Sequence, residues 1–237
     1  LFADISHELR TPTTVIRGEA EVALRGKTLS AEDFREVLRR IVEVARQLAL
    51  VIDDLLTMAR SDIDALALSK QSLDPWHTLA EAFQQVMPMA AQRAIQLVLH
   101  PPMADSPRVS ADALRLRQLI LVLLDNAVRY SHRGGQIDVA MVLVKSAAGC
   151  AMVEVCVTDQ GIGIAADELP RVFERHFRGA QARTHRHDGT GLGLAIGAVL
   201  ARAHGGEILL ESQHGLGTTA RLRLPLLALD GEFLEIP

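Results

Sequence analysis

The sequence predicts an α+β protein in which an antiparallel helical hairpin precedes a layered α/β sandwich. Apolar residues recur with alternating three- and four-residue spacing from Phe34 to Ala59, a pattern typical of a helical seam. Polar residues interrupt this periodicity around residues 61–72. Helical and strand patterns then mix without strict alternation, which favours a layered sandwich over a doubly wound sheet.

The N-terminal hairpin is expected to form a homodimer. A weaker helical periodicity precedes residue 25, Gly26 can end that first helix, and Ser30 can cap the second. Two helices alone cannot bury such a seam. The sequence therefore predicts a four-helix bundle assembled from two copies of the chain.

The second half starts at Asp74 and Pro75, an N-cap followed by a first-turn proline. We predict domain limits at 1–62 (hairpin), 63–74 (linker), 75–225 (sandwich) and 226–237 (tail). Helices are expected over 75–91, 112–130, 167–174 and 192–204. Strands are expected over 95–99, 136–144, 152–158, 207–211 and 218–224.

Composition narrows the class of protein. The chain has 237 residues, 49% of them hydrophobic, so a globular protein is expected. A net charge of −4 and a pI of about 6.1 argue against a nucleic-acid partner. No apolar run approaches the roughly 20 residues of a membrane span. Because the sequence starts without Met and already inside a helical pattern, it looks like a fragment whose sensor or membrane region lies elsewhere.

His7 is the first candidate for chemistry. On a helix it lies away from the apolar positions Phe2, Ile5 and Leu9, so a second domain can reach it. A neutral imidazole is a competent nucleophile near pH 7, and Glu8 is the nearest carboxylate. Taken alone, an exposed histidine followed by glutamate is also an ordinary surface feature.

Two glycine-rich segments are the next candidates. Asp159, Gly161 and Gly163 follow an apolar strand, where the carboxylate can accept a hydrogen bond from an amine and the glycines admit a flat ring; a tight turn is the alternative. Residues 188–194 (DGTGLGL) open a predicted helix and suit phosphate binding. This second segment has neither the Rossmann spacing nor the Lys-Ser/Thr ending of a Walker loop, and a purely structural loop is its alternative.

Asn126 is the fourth candidate, a polar amide within an otherwise apolar helix. A buried amide needs a partner. Magnesium bound to phosphates would provide one, and a hydrogen-bonded core asparagine is the alternative.

Together, these motifs resemble the histidine kinase family over about residues 1–225. The segment 2–12 (FADISHELRTP) resembles the family's H box. Residues 124–130 resemble the N box, 159–163 the G1 box, 169–178 the F box, 189–194 the G2 box, and 215–219 the glycine–threonine segment that closes the sheet and includes Thr218.

The resemblance implies an ATP-binding sandwich of the Bergerat type, shared with gyrase, Hsp90 and MutL, and a set of ligand contacts. Asp159 would read adenine and Asn126 would hold Mg²⁺. Arg129 and Tyr130 would lie by the phosphates or ribose, and Arg175 or Arg178 would neutralise the γ-phosphate. Backbone contacts to the phosphates would come from Gly189, Thr190, Gly191, Leu192, Gly193 and Leu194.

The implied function is autophosphorylation of His7 by ATP, followed by transfer to an aspartate of a response regulator. Thr11, one helical turn after His7, would support dephosphorylation of that regulator. The resemblance also implies the cytoplasmic domain of a bacterial inner-membrane sensor. Two alternatives are an ATPase of the gyrase/Hsp90 type without a phosphoacceptor, and a dimeric signalling scaffold with a weakened nucleotide site.

One position departs from the family pattern. The N box often has an asparagine four residues before the second one, and here that residue is Val122. Valine cannot bind a metal ion. We therefore expect fewer protein ligands for Mg²⁺, with water or Asp125 substituting, and weaker ATP binding.

Overall fold

The computed structural model describes residues 2–25, 30–59, 68–102, 107–146, 149–185 and 191–227. Of the helical residues 2–11 and 51–59, only the backbone is described. The chain divides into two compact units, Leu1–Arg60 and Ser61–Pro237. No helix in the described ranges is both long and apolar enough to span a membrane.

The first unit consists of two helices, α1 (Phe2–Arg25) and α2 (Ala31–Ala59). They contact each other and are joined by a short connection, so they run antiparallel, as predicted. Ser30 caps α2: its Oγ accepts the Asp33 N–H at 3.1 Å, and Asp33 in turn accepts from the Ser30 N–H and hydroxyl. Pro12 lies inside α1, and the helix continues through it.

The second unit has a five-stranded sheet covered by three helices. Its elements in chain order are β1 (Gln71–Leu73), α3 (Pro75–Gln92), β2 (Gln96–Leu99), β3 (Val109–Ala111), α4 (Ala113–Tyr130), β4 (Gln136–Lys145), β5 (Ala151–Asp159), α5 (Ala180–His185), α6 (Gly193–Ala203), β6 (Glu207–Gln213) and β7 (Gly217–Pro225).

The large sheet has the strand order β2-β4-β5-β7-β6. Only the β2–β4 pair is parallel; the other three pairs are antiparallel. Alternate residues of β4, β5 and β7 are buried, and α3, α4 and α6 contact the sheet. The core therefore lies between one sheet face and three helices, which confirms the predicted sandwich.

Two helix starts of this unit, those of α3 and α4, are capped by aspartate side chains. The Asp74 carboxylate accepts the Trp76 N–H at 2.9 Å at the start of α3. Asp112 accepts the N–H groups of Leu114 and Arg115 at the start of α4. Asp112 also accepts the Ser69 N–H at 3.0 Å. One carboxylate therefore joins the residues that lead into β1 to the start of α4.

Three local predictions differ from the structure. The helix expected over 167–174 is only a 3-10 turn at Leu169–Arg171, because Pro170 supplies no N–H to extend it and His176 has a left-handed backbone (φ 60°). Gln71–Leu73, inside the predicted linker, pair with Val109–Ala111 as a two-stranded sheet. The short helix α5 was not predicted.

Candidate functional site

Asp159 ends β5 and is the buried acid of the site, 8% exposed. Backbone N–H groups of Gly161 and Thr218 donate hydrogen bonds to its carboxylate. These bonds favour the ionised form, but burial outweighs them and raises the pKa of Asp159 to about 6. Because this carboxylate is largely shielded from water, a hydrogen bond donated by a bound ligand would stabilise its ionised form.

The loop after Asp159 needs its two glycines. A Cβ on Gly161 would lie 2.3 Å from the Tyr130 carbonyl oxygen, and one on Gly163, whose φ is +63°, would lie 2.1 Å from the Gln213 carbonyl oxygen. The Ile162 N–H donates to the Tyr130 carbonyl at 3.1 Å. The glycines thus bring the loop against the end of α4 on one side and the end of β6 on the other.

Ser212 completes this loop, and motif reasoning missed it. Its hydroxyl accepts the Ile164 N–H at 2.8 Å, donates to the Gly217 carbonyl at 2.9 Å and lies 2.8 Å from the Thr218 hydroxyl. Thr218, a predicted site residue, is therefore tied both to Asp159 through its backbone and to the glycine loop through Ser212. A serine within a strand carries no local signal of such a role.

The end of α4 forms the neighbouring wall. Asn126 is half-buried on this helix, and Arg129 forms a close ion pair with Asp125. The Tyr130 and His185 rings lie 6.4 Å apart at an angle of 40°. Backbone bonds with the loop 161–162 bring Tyr130 close to Asp159.

The segment predicted to bind phosphate is described only in part, since Gly189 and Thr190 lie outside the described residues. Gly191 and the buried Leu192 precede α6, which starts at Gly193 and includes Leu194. Within the described part of the chain, no side chain caps the start of this helix. A helix start of this kind favours an anion through its dipole.

The two arginines assigned to the γ-phosphate differ in their surroundings. Arg175 is exposed, whereas Arg178 is half-buried and its Nη2 donates to the Ala182 carbonyl at 3.1 Å. Just beyond Arg175, the His176 N–H donates to the Gly191 carbonyl at 3.0 Å. This bond joins the F box to Gly191, two residues before the start of α6.

His7, Glu8 and Thr11 lie on α1, but their side chains are outside the described residues. Their assigned roles therefore stay predictions.

Val122 lies where α4 packs on α6. One of its methyl groups lies 3.6 Å from the position that a Cβ would take on Gly193, and 3.5 Å from that on Gly197. Val122 precedes Asn126 by one helical turn, so the two share a face. The Val122 side chain therefore packs against the start of α6, on the same face of α4 as Asn126.

The residues present fit a magnesium ion with few protein ligands. Among the described residues no cluster of three His, Cys, Asp or Glu side chains could hold a metal ion. Asp125, the proposed substitute, is engaged by Arg129. A magnesium ion beside Asn126 would take most of its ligands from phosphate oxygens and water, as this ion commonly does.

We expect Val122→Asn to strengthen binding of Mg·ATP about tenfold, because a second amide oxygen would be placed one turn from Asn126. The substitution should also lower the melting temperature slightly, because it removes apolar contact with α6. Titration of ATP at several Mg²⁺ concentrations measures the first effect. Val122→Ala is the matched control: it loses the same contact but adds no ligand, and an equal gain in both variants would contradict the expectation.

Two family models match the chain. The model described as "Histidine kinase-, DNA gyrase B-, and HSP90-like ATPase" matches residues 111–228, and "His Kinase A (phospho-acceptor) domain" matches residues 1–63. Histidine protein kinase DivJ of Caulobacter vibrioides is 33% identical over 231 residues, 95% of this chain and 37% of DivJ. Sensor protein IrlS of Burkholderia pseudomallei is 32% identical over 223 residues, 94% of this chain and 46% of IrlS.

Solved structures give the same result. Full-length ShkA, crystallised in complex with AMPPNP, is 29% identical with a TM-score of 0.66, covering 96% of this chain and 46% of that one. Histidine kinase AdeS of Acinetobacter baumannii, at 22% identity, shares the fold: its TM-score is 0.64, over 93% of this chain and 98% of that one. The chain spans less than half the length of the curated relatives DivJ and IrlS.

Proposed function

This chain belongs to the histidine kinase family, and on that basis we propose that it transfers the γ-phosphoryl group of ATP to His7 and then to an aspartate of a response regulator. The observation that carries the proposal is the pairing of a phosphoacceptor-type segment at 1–63 with an ATPase-type unit in which the Asp159 loop, the end of α4 and the start of α6 converge. An ATPase without a phosphoacceptor needs no segment of the first kind.

The proposed chemistry uses this chain's own groups. Asp159 accepts the hydrogen bond from the exocyclic amine of adenine, and the Gly161–Gly163 loop lies against the ring. The start of α6 and Arg175 or Arg178 balance phosphate charge, and Mg²⁺, when bound, adds further neutralisation. The neutral imidazole of His7 attacks the γ-phosphorus, so that an N–P bond forms as the bond to the β-phosphate oxygen breaks and ADP leaves. Glu8 accepts the hydrogen bond of the other ring nitrogen.

Incubation with γ-³²P-ATP, followed by treatment with acid or alkali, tests this function. We expect protein-bound label that is stable in alkali and lost in acid, as a phosphoramidate bond to histidine requires. Release of inorganic phosphate without protein label would indicate an ATPase of the gyrase/Hsp90 type. Neither label nor phosphate release would indicate a signalling scaffold. Both of these results contradict the proposal.

We further propose that two copies of the hairpin pair through an apolar row on α2. Phe34, Leu38 and Val42 follow one another at four-residue spacing and are 45%, 47% and 47% exposed. On α1, Val15 and Val22 are exposed by 43% and 62% and lie two turns apart on one face. The family model matched here supports pairing in general, and this row is the face that it would bury.

Leu38→Glu is expected to weaken dimerisation at least 100-fold, because two copies of the carboxylate would be buried without a partner in the symmetric interface. Sedimentation velocity over a concentration series measures the effect. Arg39→Glu is the control, since it introduces the same side chain about 100° around the helix and loses only an exposed ion pair with Glu36. Equal dimerisation in the Leu38 variant and the wild type would rule out this surface.

We also propose that the protein dephosphorylates the regulator, with Thr11 supporting hydrolysis of the phosphorylated aspartate. We expect Thr11→Ala to lose at least tenfold of the phosphatase activity and to keep the autophosphorylation rate within about twofold. Loss of phosphate from a purified phospho-regulator, followed with and without ADP, separates hydrolysis from back-transfer. Thr11→Ser retains the hydroxyl and serves as the control. Full phosphatase activity in the alanine variant would remove this role from Thr11.

The boundaries proposed for the parts stay 1–62, 63–74, 75–225 and 226–237. We also propose that the chain is the cytoplasmic portion of a longer sensor protein, since the curated relatives extend well beyond the matched region.

A further inference from the structure

Arg93 is a charged residue that none of the nucleotide-binding motifs includes. It follows α3 directly, and its guanidinium reaches across to the end of α4. Nη1 donates to the Arg129 carbonyl at 2.7 Å, and Nη2 donates to the Ser131 carbonyl at 3.2 Å. One planar fork thus binds two carbonyls that lie two residues apart.

The backbone of Arg93 is itself held in place. Its N–H donates to the Ala90 carbonyl at 3.0 Å, and its carbonyl accepts the Gly134 N–H at 3.3 Å. The guanidinium is therefore carried by an anchored residue at the junction of α3 and β2.

Both hydrogen bonds are made to carbonyls at the C-terminal end of α4. The last carbonyls of a helix have no partner within the helix, and its C-terminal end favours a positive charge. On the other side, the Tyr130 carbonyl accepts the Ile162 N–H, and Ser131 forms a β-bridge with Gly161. The last turn of α4 is thus held on one side by hydrogen bonds from the Arg93 guanidinium and on the other by backbone bonds with the glycine loop.

We propose that Arg93 is a positioning residue for the nucleotide, holding the last turn of α4 so that Arg129 and Tyr130, and Asn126 one turn earlier, face the phosphates. This inference rests on the proposed ATP-binding function. Arg93 acts through backbone carbonyls and does not itself contact the nucleotide.

The proposal predicts which part of the nucleotide depends on Arg93. Asp159 belongs to β5 and is held by the N–H groups of Gly161 and Thr218, so the adenine contact does not depend on the guanidinium. Contacts from α4 to the phosphates do. Loss of Arg93 should therefore weaken ATP binding much more than adenosine binding, whereas a general loss of stability would not distinguish the two ligands.

Arg93→Met retains the aliphatic stem but not the donors, and Arg93→Lys restores one charged donor. Calorimetric titration with Mg·ATP and, separately, with adenosine should show an approximately tenfold weaker ATP affinity in Arg93→Met. Adenosine affinity should change less than twofold. Arg93→Lys should recover ATP affinity to within about threefold of wild type.

Arg108→Met is the matched control. Arg108 also makes two hydrogen bonds, from Nε to the Ser72 hydroxyl at 3.0 Å and from Nη2 to the Ser72 carbonyl at 2.8 Å, but it joins β1 to the segment entering β3. Its loss should leave the affinities for both ligands unchanged. Thermal unfolding of both variants verifies that each is folded at the titration temperature.

An equal loss of ATP and adenosine affinity in folded Arg93→Met, or no loss of either, would overturn the positioning role. If Arg93→Met is unfolded, the same comparison in Arg93→Gln decides, because glutamine keeps a polar side chain but loses the charge and the two-pronged donor. A selective loss of ATP affinity in that variant supports the role and any other result opposes it. A wild type that binds ATP but gains no label would refute only the kinase function. A wild type that binds no ATP would refute both.

Discussion

Replacing His7 with glutamine is expected to abolish the acid-labile label completely while leaving ATP affinity unchanged. Glutamine approximates the size and polarity of histidine but has no nucleophilic ring nitrogen, so the phosphoryl group has no acceptor. The ATP-binding elements described above all lie in the second unit, and the substitution lies in the first. Autoradiography and nucleotide titration of the same preparation measure both quantities.

His77→Gln is the matched control for this prediction. His77 is an exposed histidine on α3, 3.1 Å from Glu81, so its replacement removes the same ring from a surface outside the proposed site. We expect full labelling of this variant. Persistent acid-labile label in His7→Gln would show that another histidine is the acceptor.

The second large effect is expected at Asp159, where asparagine should weaken ATP binding at least 100-fold and at the same time stabilise the ligand-free protein. Asparagine can still accept the N–H bonds of Gly161 and Thr218 through its side-chain oxygen. It cannot supply the negative charge that strengthens a hydrogen bond from the adenine amine. Nucleotide titration with Asp138→Asn, a change on the same sheet away from the glycine loop, provides the comparison.

The stabilisation follows from the raised pKa of Asp159. With a folded-state pKa of about 6 and an unfolded value near 3.9, the folded protein binds the proton more tightly. The free energy of unfolding therefore falls as pH rises from about 4 to about 7, and above pH 7 the ionised carboxylate costs on the order of 3 kcal/mol.

Asp159→Asn lacks this dependence. At pH 8 its melting temperature should exceed that of the wild type by about 8 °C, and the difference should shrink towards zero near pH 4. Thermal unfolding without nucleotide between pH 4 and pH 8 measures this. A melting temperature of the variant at or below that of the wild type at pH 8 would show that burial of the Asp159 charge carries no such cost.

Predictions from sequence succeed where the determining interactions are local. Asp74 and Ser30 cap the helices that follow them, and the buried alternation of β4 and β5 is visible in the residues themselves. The strands β1 and β3 have three residues each, too few for any periodicity. They exist because they pair with one another across a sequence separation of about 40 residues.

Some residues of the candidate site could likewise be predicted from local sequence, and others could not. Asp159, Gly161 and Gly163 form a contiguous motif that can be read in the sequence, whereas their proximity to Tyr130 depends on the tertiary fold. Ser212 and Arg93 act through partners 48 and 36 residues away, so no local pattern announces them. The position of the His7 side chain remains a prediction, as does its distance from the nucleotide.

The strand order of the large sheet determines which strands of the second unit can pair before the whole chain has been synthesised. β4 and β5 are neighbours in both sequence and space, so they can pair as a hairpin as soon as residue 159 has been made. Among the described strands β6 pairs with β7 alone, and β7 lies between β6 and β5, pairing Pro225 with Met152. The sheet is therefore completed by its last strand, through contacts of long sequence separation that form slowly. Until then β6 has no strand partner, whereas the hairpin of α1 and α2 depends on contacts between helices that are adjacent in sequence.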